Sequence, residues 1–363
     1  YNHQVEQGGI HKMKKVLASI LAASMLLCGC GGSGSDTQEE AKKPELALVT
    51  DSGDINDKSF NQSAWEGVKE VGDSKGLGYQ YYKPSTFDDA GYKEAIELAV
   101  DSGAKMVILP GFKFANAIDE AQGQYPDVKF VLIDSTPTSG TINDNLCCAS
   151  YAEYESGYLA GYAVVKDGYT KLGFMGGIAL PSVINFGYGY IQGARDAAKE
   201  LGVTVEINYT YTGTFNESPE IKTAAAAWFN NGTEIIFSCG GAICNSIFAA
   251  AEEAGKKAIG VDSDQKDASE AVVTSAMKSV KGTVVSQINA YLDGTFQGGL
   301  NLFNAANGGV QISDDFSRFN TFTAEEYNTL FEAVKAGTVE IKDYTAFESP
   351  DGFNDATVTV NVQ

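Results

Sequence analysis

From residue 45 onward, short apolar runs alternate with longer amphipathic ones. The strand-like runs are LALVT (46–50), YQYY (79–82), MVILP (106–110), FVLID (130–134), LCCAS (146–150), KLGFMGG (171–177), VTVEINY (203–209), EIIFSCGG (234–241), AIGVD (258–262) and VVTSAM (272–277). Between most of them, apolar residues recur at helical spacing, as in FNQSAWEGVKEV, YKEAIELAV, YESGYLAGYAVV, YIQGARDAAKEL, IKTAAAAWF and TVVSQINAYL. Continuous apolar strands bounded by Gly, Pro or Asp and joined by helices predict an α/β chain with parallel sheets covered on both faces. A stretch of about 320 residues exceeds what one core usually serves. The strand-helix units fall into two sets, one up to about residue 150 and one from about 171 to 262, so two lobes are expected.

The N-terminal pattern is different. Met13 is followed by Lys14, Lys15, the apolar run VLASILAASMLL and then CGCGG. A short basic segment, about a dozen apolar residues and small residues before a Cys predict a secretory signal peptide over 13–29. A membrane-spanning helix needs roughly 20 apolar residues, more than this run supplies. Leu27-Cys28-Gly29-Cys30 resembles a bacterial lipobox, which implies cleavage before Cys30 and lipid on its sulfur. Residues 1–12 are set aside as upstream of the leader, and 30–44 read as a flexible tether. The expected location is the outer face of the cell membrane, with the lipid as the only anchor.

Composition narrows the chemistry. Both histidines, His3 and His11, precede the leader, so the domain from residue 45 has none. A Ser-His-Asp triad and a His-ligated zinc site are excluded, whereas carboxylate catalysis is not. The net charge is −21, and removing Lys12, Lys14, Lys15 and Glu6 deepens it by two. Such a surface disfavours nucleic acid and anionic lipid as partners. Cys147, Cys148, Cys239 and Cys244 read as small buried apolar residues.

Ligands of parallel sheets bind at the carboxyl ends of strands, often between lobes. Asp51, Gly111, Asp134, the pair Gly240 and Gly241, and Asp262 all follow strand-like runs there, which predicts a cleft. The stretch VTDSGDINDKSFNQSAWEG (49–67) is the densest in polar groups. It does not fit a calcium loop with Gly at the sixth and Glu at the twelfth position. It superficially resembles the Asp-rich motif of nucleoside hydrolases, with an incomplete set of metal ligands. Read as a binding hand, it has Ser59 capping a helix that begins near Phe60, Asp57 beside that helix's N-terminus, and Phe60 facing Asp51. An aromatic face beside acceptor carboxylates suits a planar heterocycle bearing N–H donors.

The same stretch is very similar to the signature of the basic membrane protein family, the PnrA-like nucleoside-binding lipoproteins. GVDSDQ (260–265) with TSAMK (274–278), and EIIFSCGG, match two further family blocks, in order, across nearly all of 45–340. The resemblance implies a type I periplasmic-binding-protein fold, with two doubly wound lobes joined by a multi-segment hinge. On that pattern the first lobe takes 45–152 and about 266–310, and the second takes 153–265 and about 311–363. It also implies capture of purine nucleosides such as adenosine, guanosine or inosine for an ABC permease, by a monomer with neither cofactor nor metal.

Carried over by motif, Phe60 and Phe186 (in NFGYGY) stack on the base, and Asp51 and Asp134 accept from its N–H groups. Gly240, Gly241, Asp262 and Lys278 hold the ribose, and Asn61 belongs to the same ligand-binding set. Asn56 and the loop IALPSVIN (178–185) depart from the family pattern near the ligand. The alternatives are a nucleoside hydrolase-like enzyme with an Asp-bound calcium, and a sugar-binding protein of the same fold. An amino-acid ligand would call for an Arg clamp, and Arg195 and Arg318 lie at no expected cleft strand end.

Overall fold

The computed structural model describes residues 42–363, so the leader, Cys30 and nearly all of the expected tether lie outside the described residues. The chain first forms β1 (Pro44–Val49), α1 (Phe60–Lys75), β2 (Gly78–Tyr82), α2 (Asp89–Asp101), β3 (Met106–Pro110), α3 (Ala115–Gln124), β4 (Lys129–Ile133) and β5 (Leu146–Tyr151). It then crosses into α4 (Glu153–Lys166), β6 (Lys171–Gly176), α5 (Pro181–Leu201), β7 (Val205–Tyr211), α6 (Pro219–Asn230), β8 (Ile235–Cys239), α7 (Ile243–Ala254), β9 (Lys257–Asp262) and β10 (Val272–Lys278). α8 (Val280–Leu292) and β11 (Gly299–Phe303) return to the first lobe. β12 (Val310–Ile312), α9 (Ala324–Lys335) and β13 (Val358–Val362) complete the second.

The first sheet has the order β11-β5-β4-β3-β1-β2 and is parallel throughout. The second has the order β12-β10-β9-β8-β6-β7-β13, with only β12 antiparallel to its neighbour. All ten expected strands form. Successive strand side chains point to opposite faces, and β1 shows what that means in a doubly covered sheet. Leu46 and Leu48 pack with Ala64 and Val68 of α1, while Ala47 and Val49 pack with Tyr92, Ile96 and Ile118 on the other face.

One expected boundary moves. VVTSAM forms β10, which pairs with β9 in the second sheet. The chain therefore crosses back after Lys278, not near residue 266. The Arg318 guanidinium donates to the carbonyls of Lys266, Ser269 and Val272, tying that connection to the second lobe.

α4 and α5 approach each other unusually closely. A Cβ at Gly157 or Gly161 of α4 would collide with the backbone of α5, and one at Gly189 or Gly193 would collide with the backbone of α4. The close contact sets the position of α5, whose first turns carry Val183 and Phe186 toward the cleft. Among the described residues, no helix is long and apolar enough to cross a membrane.

Candidate functional site

A cavity of ≈ 360 Å³ lies between the carboxyl ends of the two sheets, lined by residues of both lobes. Asp51, Phe60, Asn61, Asp134, Phe186, Gly240, Gly241, Asp262 and Lys278 all line it. Their surroundings differ, and so does what each can do.

The loop after β1 is organised by its own carboxylates. Asp51 Oδ1 accepts from the Gly53 N–H at 2.7 Å and from Asn61 Nδ2 at 3.0 Å. Asn61 also donates to Asp57, so its amide is occupied in orienting the two acids. Asp51 Oδ2 faces the cavity, 3.4 Å from where a Cβ on Gly111 would stand. Burial pushes the Asp51 carboxyl up, and the Gly53 and Asn61 bonds and Lys113 pull it part of the way back.

The expected cap of α1 is exchanged between neighbours. Ser59 makes no side-chain cap. Asp57 takes the role, accepting from the N–H groups of Ser59, Asn61 and Gln62 at 2.9, 3.0 and 3.1 Å. A carboxylate that serves three orphan amides at a helix N-terminus outcompetes a hydroxyl. Ser59 is released to donate to Asp262 Oδ2 in the second lobe, at 2.6 Å. Asp54 accepts from the backbone and side-chain amides of Asn56, so the three aspartates share no common partner. Among the described residues, no cluster of His, Cys, Asp or Glu is placed to hold a metal ion.

Three non-glycine residues have positive φ among the described residues: Lys58 (55°), Asp134 (59°) and Asp262 (66°). Asp134 and Asp262 line this cavity, and Lys58 lines a separate pocket beside Ser59. Left-handed backbone costs of order 1–3 kcal/mol per residue and persists where the surroundings over-determine it. Here it ends β4 and β9 abruptly and turns both carboxylates into the cavity.

Lys278, the last residue of β10, is 5% exposed and central to the site. Its ammonium pairs with Asp134 Oδ2 and lies 3.6 Å from Asp262 Oδ1 and 3.8 Å from Glu153 Oε1. It also sits over three aromatic rings, 4.9 Å from the centroid of Phe60, 5.6 Å from Tyr151 and 5.7 Å from Phe186. Burial opposes its charge, but Asp134, Asp262 and Glu153 outweigh that and hold it above the usual lysine range. Burial pushes the Asp134 carboxyl up, against the pull of Lys278. Asp134 Oδ1 is buried and has no hydrogen-bond partner among the described residues.

Gly240 and Gly241 form the turn from β8 into α7, at φ 143° and 55°. A Cβ on Gly240 would stand 2.9 Å from the Phe215 ring. Phe215 also lines the cavity, from a loop with no strand or helix pattern to mark it. Glu153 carried a misleading signal: an acid in the first turn of α4 reads as an ordinary partner of the helix dipole, yet it is buried behind Lys278. Leu180, Ser182 and Val183, from the stretch that departs from the family pattern, line the cavity too.

Comparison with known proteins gives the family and the fold. Residues 45–345 match the Bmp family, described as ABC transporter substrate-binding protein PnrA-like. The chain is 34% identical over 329 residues to the ABC transporter nucleoside-binding protein BmpA of Lactococcus lactis, covering 83% of this chain and 90% of that one. It is 32% identical over 292 residues to basic membrane protein A of Borreliella burgdorferi, covering 79% and 83% respectively. An ABC transporter solute-binding protein from Aeropyrum pernix superposes with a TM-score of 0.71 at 22% identity, over 85% of this chain and 94% of that one. One from Conexibacter woesei superposes at 0.69 and 21%, over 84% and 100%. These two share the fold, the two-lobed type I binding-protein architecture. The chain belongs to the Bmp family of PnrA-like ABC transporter substrate-binding proteins, a family of binding proteins and not of enzymes.

Proposed function

We propose that this protein captures purine nucleosides in the interlobe cavity and delivers them to an ABC permease, from the outer face of the membrane, held there by lipid on Cys30. The observation that carries the reading is the pair of phenyl rings, Phe60 from the first lobe and Phe186 from the second, that flank one ammonium in one cavity. Aromatic faces presented from opposite lobes sandwich a planar base, with roughly 1–3 kcal/mol per stacked contact.

Asp51 Oδ2 and Asp134 Oδ1 are the acceptors for base N–H groups, the second of them lacking any other partner among the described residues. Lys278, Asp262 and the Gly240-Gly241 turn hold the ribose, and charge-assisted bonds to its hydroxyls are the strong kind. The volume falls within the range of small-molecule sites, about 300–1,000 Å³. The Lactococcus relative, named as a nucleoside-binding protein, supports the class of ligand.

Closure of the lobes distinguishes the loaded form for the permease. The test is calorimetric titration with adenosine, guanosine, inosine, cytidine, uridine and ribose, with EDTA present and each mixture assayed for free base. Purine nucleosides binding intact support the reading. Silence toward all nucleosides overturns it, and binding of ribose alone moves the ligand to the sugars.

A further inference from the structure

Glu153 lies outside the cavity lining and yet touches its central cation. It is the first residue of α4, directly after the crossover from β5, and is 3% exposed. Lys278 is the last residue of β10, directly before the chain returns to the first lobe. The 3.8 Å approach of Glu153 Oε1 to Lys278 Nζ therefore joins two of the crossovers between the lobes. The other oxygen of Glu153 accepts from Asn185 Nδ2 of α5 at 3.4 Å, and Asn185 Oδ1 accepts from the Tyr344 N–H at 2.9 Å. The glutamate is thus held from behind, and the lysine from the front by Asp134 and Asp262.

We propose that Glu153 is a positioning residue whose carboxyl competes for the Lys278 ammonium at the hinge, so that its protonation state sets how far that ammonium is offered to the ligand. The proposal rests on the nucleoside reading for its choice of probe alone. An ammonium has three N–H donors, and three carboxylates around it leave an uncompensated charge in a buried site. One carboxyl holding a proton relieves it.

The groups facing Glu153 make it the candidate. Burial pushes its carboxyl up to about 8, Asp134 pushes in the same direction, and Lys278 pulls down. Tyr151 faces it from β5, Cys239 from β8 and Tyr154 from its own helix, and the Asn185 amide faces it from α5. Below about pH 8 the carboxyl is neutral and Lys278 belongs to Asp134, Asp262 and the ligand. Above it, a third carboxylate draws the ammonium back toward the hinge.

The experiment has two arms. Adenosine affinity is measured between about pH 6 and about pH 9, where its base does not titrate, for the wild type, Glu153→Gln and Glu153→Asp. The wild type is expected to lose affinity several-fold as pH rises through about 8. Glu153→Gln flattens the profile, and Glu153→Asp restores a pH dependence. A wild-type profile that is flat, or one that Glu153→Gln leaves unchanged, overturns the proposal.

The second arm needs no ligand. A carboxyl whose folded pKa is raised keeps a proton that the unfolded chain gives up, so stability falls as pH rises from about 4 toward the folded value. The melting temperature of Glu153→Gln relative to wild type should therefore climb between about pH 5 and about pH 8. A constant difference overturns the proposal even if adenosine proves not to bind, an outcome that would fall on the nucleoside reading.

Discussion

Ser59 Oγ donates to Asp262 Oδ2 at 2.6 Å, joining residues 203 positions apart across the cleft. The bond leaves Asp262 Oδ1 facing Lys278. Beside it, the Lys58 carbonyl accepts from Gln265 Nε2 at 3.1 Å. Both bonds require the lobes to be together, so they belong to the closed form and add to whatever a ligand contributes to closure. A hydrogen bond to a charged group contributes about 1.5–3 kcal/mol. Ser59→Ala should therefore weaken ligand binding by roughly tenfold or more, while the ligand-free melting temperature changes little. X-ray scattering of the variant with ligand should show a larger population of open molecules. Unchanged affinity would mean that closure does not depend on this contact.

The two phenyl rings should separate affinity from stability. Phe186 is 2% exposed and meets Phe237 edge-on at 6.0 Å, whereas Phe60 is only partly buried. Phe→Ala in a core costs about 3–5 kcal/mol, so Phe186→Ala should lose both stability and ligand. Phe60→Ala should lose ligand, by about 1–3 kcal/mol for the stack, with a much smaller drop in unfolding midpoint. Paired calorimetry and urea titration read the two effects apart. Equal losses of stability would contradict the difference in burial.

What was legible in the chain follows from burial. Strands covered on both faces read as continuous apolar runs, and all of those were found. The missed strands, β11, β12 and β13, are edge or near-edge elements. Leu300 and Leu302 of β11 are 63% and 51% exposed with asparagine between them, and β12 spans only VQI. α9 was invisible for a related reason, since only Tyr327 and Val334 are buried in it. The cavity-lining residues are legible where they end strands or sit in a dense motif. Glu153 and Phe215 have neither marker, and the Ser59–Asp262 bond depends on two loops whose pairing only the packed lobes determine. The exchange of capping between Asp57 and Ser59 is likewise decided by where Asp262 stands.

The turn after β8 offers a test of backbone shape. Gly240 has φ 143°, which side-chain-bearing residues rarely adopt, and a Cβ there would press on Phe215 at 2.9 Å. Gly240→Ala should shift the turn and the ring together and cost a few kcal/mol of affinity, more than Gly241→Ala, whose φ of 55° an alanine reaches at about 1–2 kcal/mol. Calorimetry on both variants gives the order. A Gly241 variant that is the weaker binder would show that its own approach to Phe215, 3.2 Å from the carbonyl oxygen, outweighs the strain and the ring contact at Gly240.

Removing the central cation should expose the carboxylates that it holds. In Lys278→Met, Asp134, Glu153 and Asp262 lose their shared partner, and taking one partner from a buried ion pair costs about 3–5 kcal/mol. Burial already raises the Asp134 and Glu153 carboxyls, and the lysine is what lowers them again. Without it they rise further and stay protonated in the folded protein while the unfolded chain ionises near pH 4. The folded variant then binds more protons than the unfolded one, so its stability falls as pH rises from about 4 through the neutral range. Urea unfolding should find the variant close to wild type near about pH 4 to 5 and furthest below it near about pH 8. A gap that stays constant with pH would mean that the three carboxylates find other partners when the lysine is gone, and the ammonium could not then be the centre of the site.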